Sequence, residues 1–402
     1  MECAVSLPGW QEVEPLFDEA YQYGCSVRRA IHCHPELSGC EYDTSARLQR
    51  ELRSMGYTVE SIPQRTSFLA YRQGGAHPLF GLRAELDALP IQEDLGASPR
   101  SAVDAVMHAC GHDLHVGIAL GFAKALALLA CPAELVPLFV FESSEEVLPG
   151  GAQAILGSTL FAQHRPARML CFHSEPMLPV GSVGVRAGRY MASGDELHIA
   201  VKGRGGHAAM PERLADPVQA ACDLVVQLQA VSGRLAPAQI PTVLTIGRLI
   251  AAGATNVVPD EVLLQGTFRT HDEPWRAQAK GLIHTIAEGV AKVHGVSIGV
   301  RIQDGYPALF NDAALADVFR LLCARASRVE ECRELDFRMT TDDFAYFAQA
   351  MPSLFVRLGV GPTGALHTSG FSPRVESIRV ALQLLYLLLG HFALEREGFQ
   401  ER

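Results

Sequence analysis

The chain has 402 residues, 48% hydrophobic and 19% charged, so it can build a sizeable core and falls in the length range of two to three domains. Its 34 basic against 44 acidic side chains give a net charge of −10 with no long basic run, which argues against nucleic acid or an anionic membrane as a partner. The longest apolar runs are broken by Lys124 and His391 and are read as too short for a membrane span. Met1-Glu2-Cys3, followed by Glu12, Glu14 and Asp18, has no basic or apolar region of a secretion signal. The ten cysteines are scattered without repeated spacing, so we expect reduced thiols in a cytoplasmic protein.

Residues 10–33 are predicted helical and lead into the loop Pro35-Glu36-Leu37, which makes His32 and His34 loop or surface histidines. Glu41 to Met55 is a second helix, with Ala46, Leu48, Leu52 and Met55 near helical spacing and Gly56 as its stop. Short apolar runs follow. Leu79 to Leu86 ends in Asp87, and Val136 to Phe141 ends in Glu142-Ser143-Ser144-Glu145-Glu146. Met169 to Phe172 ends in His173, and Ser353 to Leu358 precedes a glycine-rich loop and His367. Helix-sized segments, Leu114 to Ala130 and Gly151 to Phe161, separate the first three runs. This alternation predicts an α/β fold, a mostly parallel sheet flanked by helices, whose ligands bind at the carboxyl ends of the strands.

The composition changes near Gly181. Strands over Glu196 to Lys202, Pro241 to Ile250, Glu261 to Arg269 and Val296 to Gln303, with helices over Pro217 to Val231 and Glu273 to His294, give the order βαββαβ. That order predicts a ferredoxin-like α+β module at residues 188–303, inserted into a domain made of 1–187 and 304–402. Further helices are expected over Ala313 to Ala326, Asp342 to Ala350 and Val375 to Leu394.

The densest chemistry lies in Met107 to His115, where His108, His112 and His115 crowd Cys110 and Asp113. Thiolate and neutral imidazole are the donors that borderline metals prefer. Cys110 and His112, two apart, can face one ion, and Asp113 is placed to cap the helix that follows. The pair Glu145-Glu146 suits one ligand and one base, provided it sits in a turn, because neighbours in a strand point to opposite faces. Asp87, Cys110, His112, Glu145, Glu146, His173 and His367 would all gather along one sheet edge.

His108-Ala109-Cys110-Gly111-His112-Asp113 resembles the signature of the aminoacylase/carboxypeptidase metallopeptidase family, in its amidohydrolase branch. That branch includes hippurate hydrolases, auxin-conjugate hydrolases, N-acyl-amino-acid aminoacylases and N-acetyl-diaminopimelate deacetylases. Arg28 to Leu37, Glu41 with Thr44, Arg83 to Ile91, Glu145-Glu146, His173, Gly203 to Ala208, Asn256 to Pro259, Gly266 to Arg269, Asp343-Phe344 and Leu366-His367 continue the match along nearly the whole chain. The resemblance implies Cys110, His112, Glu146, His173 and His367 as metal ligands and Glu145 as general base and then acid. It implies Asp87 as the group that orients a ligand imidazole. On the inserted module, a lid that also dimerises, it implies His207 as an oxyanion donor to a partner subunit and Asn256 and Arg269 as the grip on the substrate carboxylate. The chain departs from the family at Glu85 (usually Asp), at Glu142-Ser143-Ser144 (usually Gln-Pro-Ala), at Glu212 (His), Asp342 (Glu) and Ser369 (Pro). None removes a ligand, but Glu85 and Glu142 add carboxylate character near the metals.

These readings predict a metal-dependent amidohydrolase that cleaves N-acyl amino acids by a metal-activated water, working as a homodimer or higher homo-oligomer. It would hold one or two divalent ions, zinc favoured on softness, with manganese or nickel as alternatives. The nearer rival is a dipeptidase or carboxypeptidase. A rival of another class is a metal-retaining binding protein without catalysis, with Glu85 and Glu142 as its signs.

Overall fold

The helix Trp10–His32 turns Val13, Phe17, Ala20, Val27 and Ile31 to one buried face, at the spacing of an amphipathic helix. The helix His112–Leu128 is buried nearly all round, with Leu114, Val116, Ile118, Leu120 and Phe122 in the core. The two pack so closely that a Cβ on Gly24 would stand 2.5 Å from the carbonyl oxygen of Gly117. Near this contact lies a buried charge network. Arg28 Nε donates to Asp113 Oδ2 at 2.7 Å, and His32 Nδ1 lies 2.9 Å from the same oxygen. His32 Nε2 lies 2.9 Å from Glu93 Oε1.

Two expectations are corrected here. Asp113 does not cap its helix: the cap position is Gly111, without a side-chain cap bond, and Asp113 sits inside the first turn facing Arg28. His32 is not a loop histidine: it is the last residue of its helix and only 1% exposed.

The computed structural model describes residues 7–74 and 77–400, so Met1-Glu2-Cys3 lies outside the described residues. Among these, the residues within Met1–Gly188, Phe310–Asp336 and Tyr346–Arg402 form one compact unit, and those within Arg189–Leu309 and Phe337–Ala345 form another. In the second unit Arg338 joins the chain at Tyr190, whose carbonyl accepts from Arg338 N at 2.8 Å.

The first unit carries an eight-stranded sheet in the order Thr58–Ser61, Phe68–Tyr71, Leu138–Glu142, Gly81–Glu85, Met169–Pro179, Ser353–Gly361, Ser182–Val185, Glu331–Glu334. Its four central strands, Leu138–Glu142 to Ser353–Gly361, are mutually parallel. Gly81–Glu85, Leu138–Glu142 and Ser353–Gly361 are buried at every position, as the near-continuous apolar runs require. From Gly81–Glu85 the chain places its next parallel strand on one side and the following one on the other. Such a reversal opens a crevice at the carboxyl ends of the strands. The expected helix over 151–161 is instead two short ones, Ala152–Leu156 and Thr159–Gln163, because Ser158 starts a new helix by accepting from Phe161 N.

The second unit holds a four-stranded antiparallel sheet in the order Thr242–Ala251, Glu261–Thr270, Ser193–Lys202, Ser297–Gln303. The helices Pro217–Ala230 and Glu273–His294 share its apolar core, so the order βαββαβ gives the ferredoxin-like arrangement.

The C-terminal helix Ser377–Gln400 also departs from expectation. Its stretch Ser377–Arg396 is long and apolar enough to cross a membrane by length and composition alone, since a single His391 does not offset its leucines. That window is 72% buried within the fold, where Leu384, Leu385 and Leu388 join the core.

The network at Asp113 yields two predictions. Asp113→Asn leaves the Arg28 guanidinium buried without its counter-charge and is expected to lower the unfolding free energy by about 3–5 kcal/mol. A urea midpoint unchanged from wild type would contradict this. Burial opposes a charge on His32, but its bond to Asp113 wins and holds its pKa above the ordinary value. Burial likewise opposes the charge of Asp113, yet Arg28 and His32 hold its carboxyl well below the usual range. A raised imidazole pKa stabilises the fold fully below about pH 6.5 and loses that contribution as pH rises through the folded value. The carboxylate contribution is present above about pH 3.9 and is lost as pH falls through its depressed folded value. At fixed metal content, the stability from this pair therefore declines as pH rises above about 6.5, and His32→Gln is expected to flatten that decline in urea titrations.

Candidate metal centre

Arg83 and Glu85 are two apart on a buried strand and share a face. Glu142 ends the neighbouring strand in direct register with Glu85, so two carboxylates stand opposite each other, a repulsive arrangement. Arg83 resolves it. Its Nε donates to Glu142 Oε2 at 2.6 Å and its Nη1 donates to Glu85 Oε1, with all three side chains inaccessible to solvent. The other oxygen of Glu85 lies 2.8 Å from His115 Nδ1. Ser174 N donates to His115 Nε2 at 2.9 Å, which makes that nitrogen an acceptor and puts the ring proton on Nδ1, facing Glu85. Burial opposes the charge on Glu85, but Arg83 and His115 hold its carboxyl well below the usual range. The two departures at Glu85 and Glu142 are thus both engaged by the Arg83 guanidinium.

Asp87 follows the end of the same strand. Its main-chain oxygen accepts from His112 Nδ1 at 2.9 Å, and its Oδ1 lies 3.3 Å from that nitrogen. Its Oδ2 accepts from Ser38 Oγ at 2.7 Å and from Glu146 N at 2.9 Å. Asp87 therefore holds the imidazole through its main-chain oxygen, with Oδ1 beside the ring but without a hydrogen bond, and through Oδ2 it anchors the turn that carries the glutamate pair. With its proton on Nδ1, His112 turns its Nε2 lone pair inward. That nitrogen is buried without a hydrogen bond, 3.9 Å from Glu146 Oε1 and 3.9 Å from Glu145 Oε2. Glu146 Oε1 is likewise buried without a hydrogen bond, 3.1 Å from His367 Nε2. Cys110 Sγ lies 3.5 Å from His173 Nε2.

The ligand atoms of Cys110, His112 and His173 lie within 4.8 Å of one another, as do those of Cys110, Glu146 and His367 and those of His112, Glu145 and Glu146. The structure thus brings together all five side chains expected as ligands, with Glu145 beside them. Orphaned buried polar atoms that face each other need a partner, and a sulfur, imidazole nitrogens and carboxylates suit a divalent ion of borderline softness. Burial disfavours a charge on His112, yet Glu85, Asp87 and Glu146 outweigh it and push its pKa up to about 10. Burial, then Glu146 and Glu145, push the Cys110 thiol well up. The field at the site therefore favours positive charge, which a cation would supply in exchange for protons on sulfur and nitrogen. Burial and Arg357, whose Nη1 lies 2.6 Å from His173 Nδ1, push the pKa of His173 well down and keep the ring neutral. His108 is buried with neither ring nitrogen hydrogen-bonded, and burial pushes its pKa down to about 4.

Three backbone features shape the site. Gly111 is left-handed at φ 87°, and a Cβ there would meet Ser174 Oγ at 2.5 Å. Ser144 and His367 are non-glycine residues in the left-handed region, at φ 61° and 60°, which costs each about 1–3 kcal/mol. His367 is held by its N–H to Ala109 O at 2.9 Å. Ser144 N donates to Glu41 Oε1 at 2.9 Å, and the buried Glu41 also accepts from Gly39 N at 2.8 Å and Thr66 Oγ1 at 2.6 Å. Glu41 thus holds the turn that presents Glu145, a role the sequence reading did not assign to it. His115 was counted in the donor cluster but given no role, and Arg357 was missed. For His115 a signal existed: it lies one helical turn beyond His112. For Glu41 and Arg357 no local signal existed.

His207, Asn256 and Arg269 lie in the second unit. His207 sits on the exposed two-residue strand Gly206–His207 and pairs in register with Val257, next to the exposed Asn256. Its Nδ1 accepts from Ala209 N at 3.1 Å, which leaves Nε2 as the donor. The half-buried Arg269 donates through Nη1 to Met339 O at 2.9 Å.

Residues 81–391 match Peptidase family M20/M25/M40. An N-acetyldiaminopimelate deacetylase of Pediococcus pentosaceus is 31% identical over 369 residues, 90% of this chain and 95% of that protein. An N-acetylcysteine deacetylase of Bacillus subtilis is 31% identical over 89% of this chain and 93% of its own length. Among solved structures, a dinuclear metal-binding peptidase of the M20 family from Bacillus subtilis aligns with a TM-score of 0.79 at 28% identity, covering 93% of this chain and 98% of that one.

Because the Asp87 carboxylate lies beside His112 Nδ1 and tethers Glu146 N, Asp87→Ala is expected to weaken metal retention by about 10- to 100-fold. The measurement is metal content after dialysis against graded chelator. Retention equal to wild type would remove Asp87 from this role.

Proposed function

This chain belongs to Peptidase family M20/M25/M40, in its amidohydrolase branch, and from that premise we propose that it hydrolyses the amide of N-acyl amino acids to a carboxylic acid and a free amine. The observation that carries the proposal is Glu145: a buried carboxylate, held in a turn, whose Oε2 lies 3.9 Å from the free nitrogen of His112. A divalent ion held by Cys110, His112, Glu146, His173 and His367, with zinc favoured by the thiol, would polarise the amide carbonyl and make water a usable nucleophile at neutral pH. Glu145 takes the proton of the attacking water and returns it to the leaving nitrogen. Asp87 and Glu41 keep that carboxylate and His112 in register.

In the second unit, the reading gives Arg269 and Asn256 the substrate carboxylate, and gives His207 the oxyanion, delivered from one copy to another of a homodimer. The exposed Nε2 donor of His207 supports that role. The names of the two deacetylases above support an acetyl group on the acyl side. Glu85 and Glu142 offer no ground for a chain that has lost catalysis, because Arg83 engages both.

Glu145→Gln is expected to keep fold and metal content while kcat falls by about 10²–10⁴-fold. Hydrolysis of N-acetyl amino acids, measured against a panel of dipeptides, reads both the rate and the substrate class. Wild-type turnover by Glu145→Gln would overturn the assignment of the base, and a preference for dipeptides would move the chain to the peptidase reading. Chelator is expected to abolish hydrolysis, and added zinc to restore it.

A further inference from the structure

We propose that Cys323 and Cys332 form a reversible disulfide when the protein meets a hydroperoxide. Cys323 is the last residue of the helix Ala313–Cys323, and Cys332 lies on Glu331–Glu334, the strand at one end of the eight-stranded sheet. The helix and the strand are joined by an ion pair. Arg320, three residues before Cys323 and therefore on the same helix face, pairs with Glu334 at 2.5 Å. Glu334, two residues after Cys332, shares its face of the strand. The cysteines take the next positions on these two faces, where Cys332 packs against the core that holds Cys323 and each thiol acts on the other.

The segment between them is already folded back. Ala326 N donates to Cys323 O at 3.2 Å, Val329 N to Ala326 O at 3.1 Å, and Glu330 N to Gly181 O at 2.8 Å. Both cysteines are free thiols, and neither is among the metal-centre residues. They differ in access: Cys332 is partly exposed on an edge strand, whereas Cys323 is 3% exposed. An accessible thiol backed by a second one is the arrangement in which peroxide oxidation ends in a disulfide.

The Cys332 thiolate attacks one peroxide oxygen. The O–O bond breaks, an S–O bond forms, and hydroxide leaves and is protonated to water. Cys323 sulfur then attacks the sulfenic sulfur, the S–O bond breaks, and a second water departs with the Cys323 proton. Two thiols and one hydroperoxide give one disulfide, with both sulfurs oxidised and the peroxide oxygens reduced; for hydrogen peroxide the other product is two waters. A dithiol reductant reverses the step by exchange.

The test treats the full-length protein with hydrogen peroxide, blocks remaining thiols by alkylation, and maps tryptic peptides with and without reductant. Cleavage after Arg320, Arg325, Arg328 and Arg333 puts the two cysteines on separate peptides, 321–325 and 329–333. The expected product is these two linked, two hydrogens lighter than their sum, and separated by reductant. Cys332→Ser should abolish the link and leave amide hydrolysis unchanged, and Cys323→Ser should let Cys332 proceed to the sulfinic acid. Recovery of both peptides as separately alkylated species after peroxide, or linkage of Cys332 to another cysteine, would overturn the proposal. So would an unreacted Cys332 in the Cys323→Ser protein.

Discussion

The carboxylate of Asp87 is the junction at which three segments of the candidate centre meet. It stands just past the end of a strand buried along its whole length, where the order of the sheet reverses and the chain opens a crevice. One of its oxygens faces His112, and the other takes the backbone of Glu146 and the hydroxyl of Ser38. An imidazole from a helix, a turn from the neighbouring strand and the loop that follows the helix Trp10–His32 are thereby referred to one point. The packed parallel strands beneath leave that point little freedom, and a set of metal ligands needs such rigidity.

Buried charge is handled throughout the first unit by local pairing. Arg83 separates Glu85 from Glu142, and Arg28 with His32 balances Asp113. Removing one partner of such a pair is costly, because the survivor stays in a medium that solvates it poorly. Around Cys110 the pattern is reversed: Glu145, Glu146 and Glu85 surround a thiol that burial already holds protonated. Carboxylates at that point make sense beside a cation. Strain is present in the same place, with Ser144 and His367 both left-handed and each tied by its own backbone N–H, to Glu41 and to Ala109.

Much of this was legible along the chain. Hydrophobic period and helix stops fixed most of the elements, and the helix Glu273–His294 has the bounds read from the sequence. The order of elements gave the parallel sheet, and with it the edge at which Asp87, His112, Glu146 and His173 were expected to meet. The errors at Asp113 and His32 were of one kind. Asp113 was assigned to its nearest backbone amides, whereas its partner Arg28 is 85 residues away. His32 was judged by the loop that follows it, whereas burial comes from the packing of its helix against His112–Leu128.

The sequence by itself determined which chemistry was present: periodicity and residue type are local properties, so the strands, the helices and a thiol–imidazole–carboxylate donor set can be read from neighbours. Only the tertiary structure decided which carboxylates pair with Arg83 and which face His112. Four glutamates, at 85, 142, 145 and 146, follow or end adjacent strands. Two are engaged by Arg83 and two face His112. That division depends on which side chains of distant segments come within hydrogen-bonding reach, and such partners exist only once the sheet has set strand beside strand.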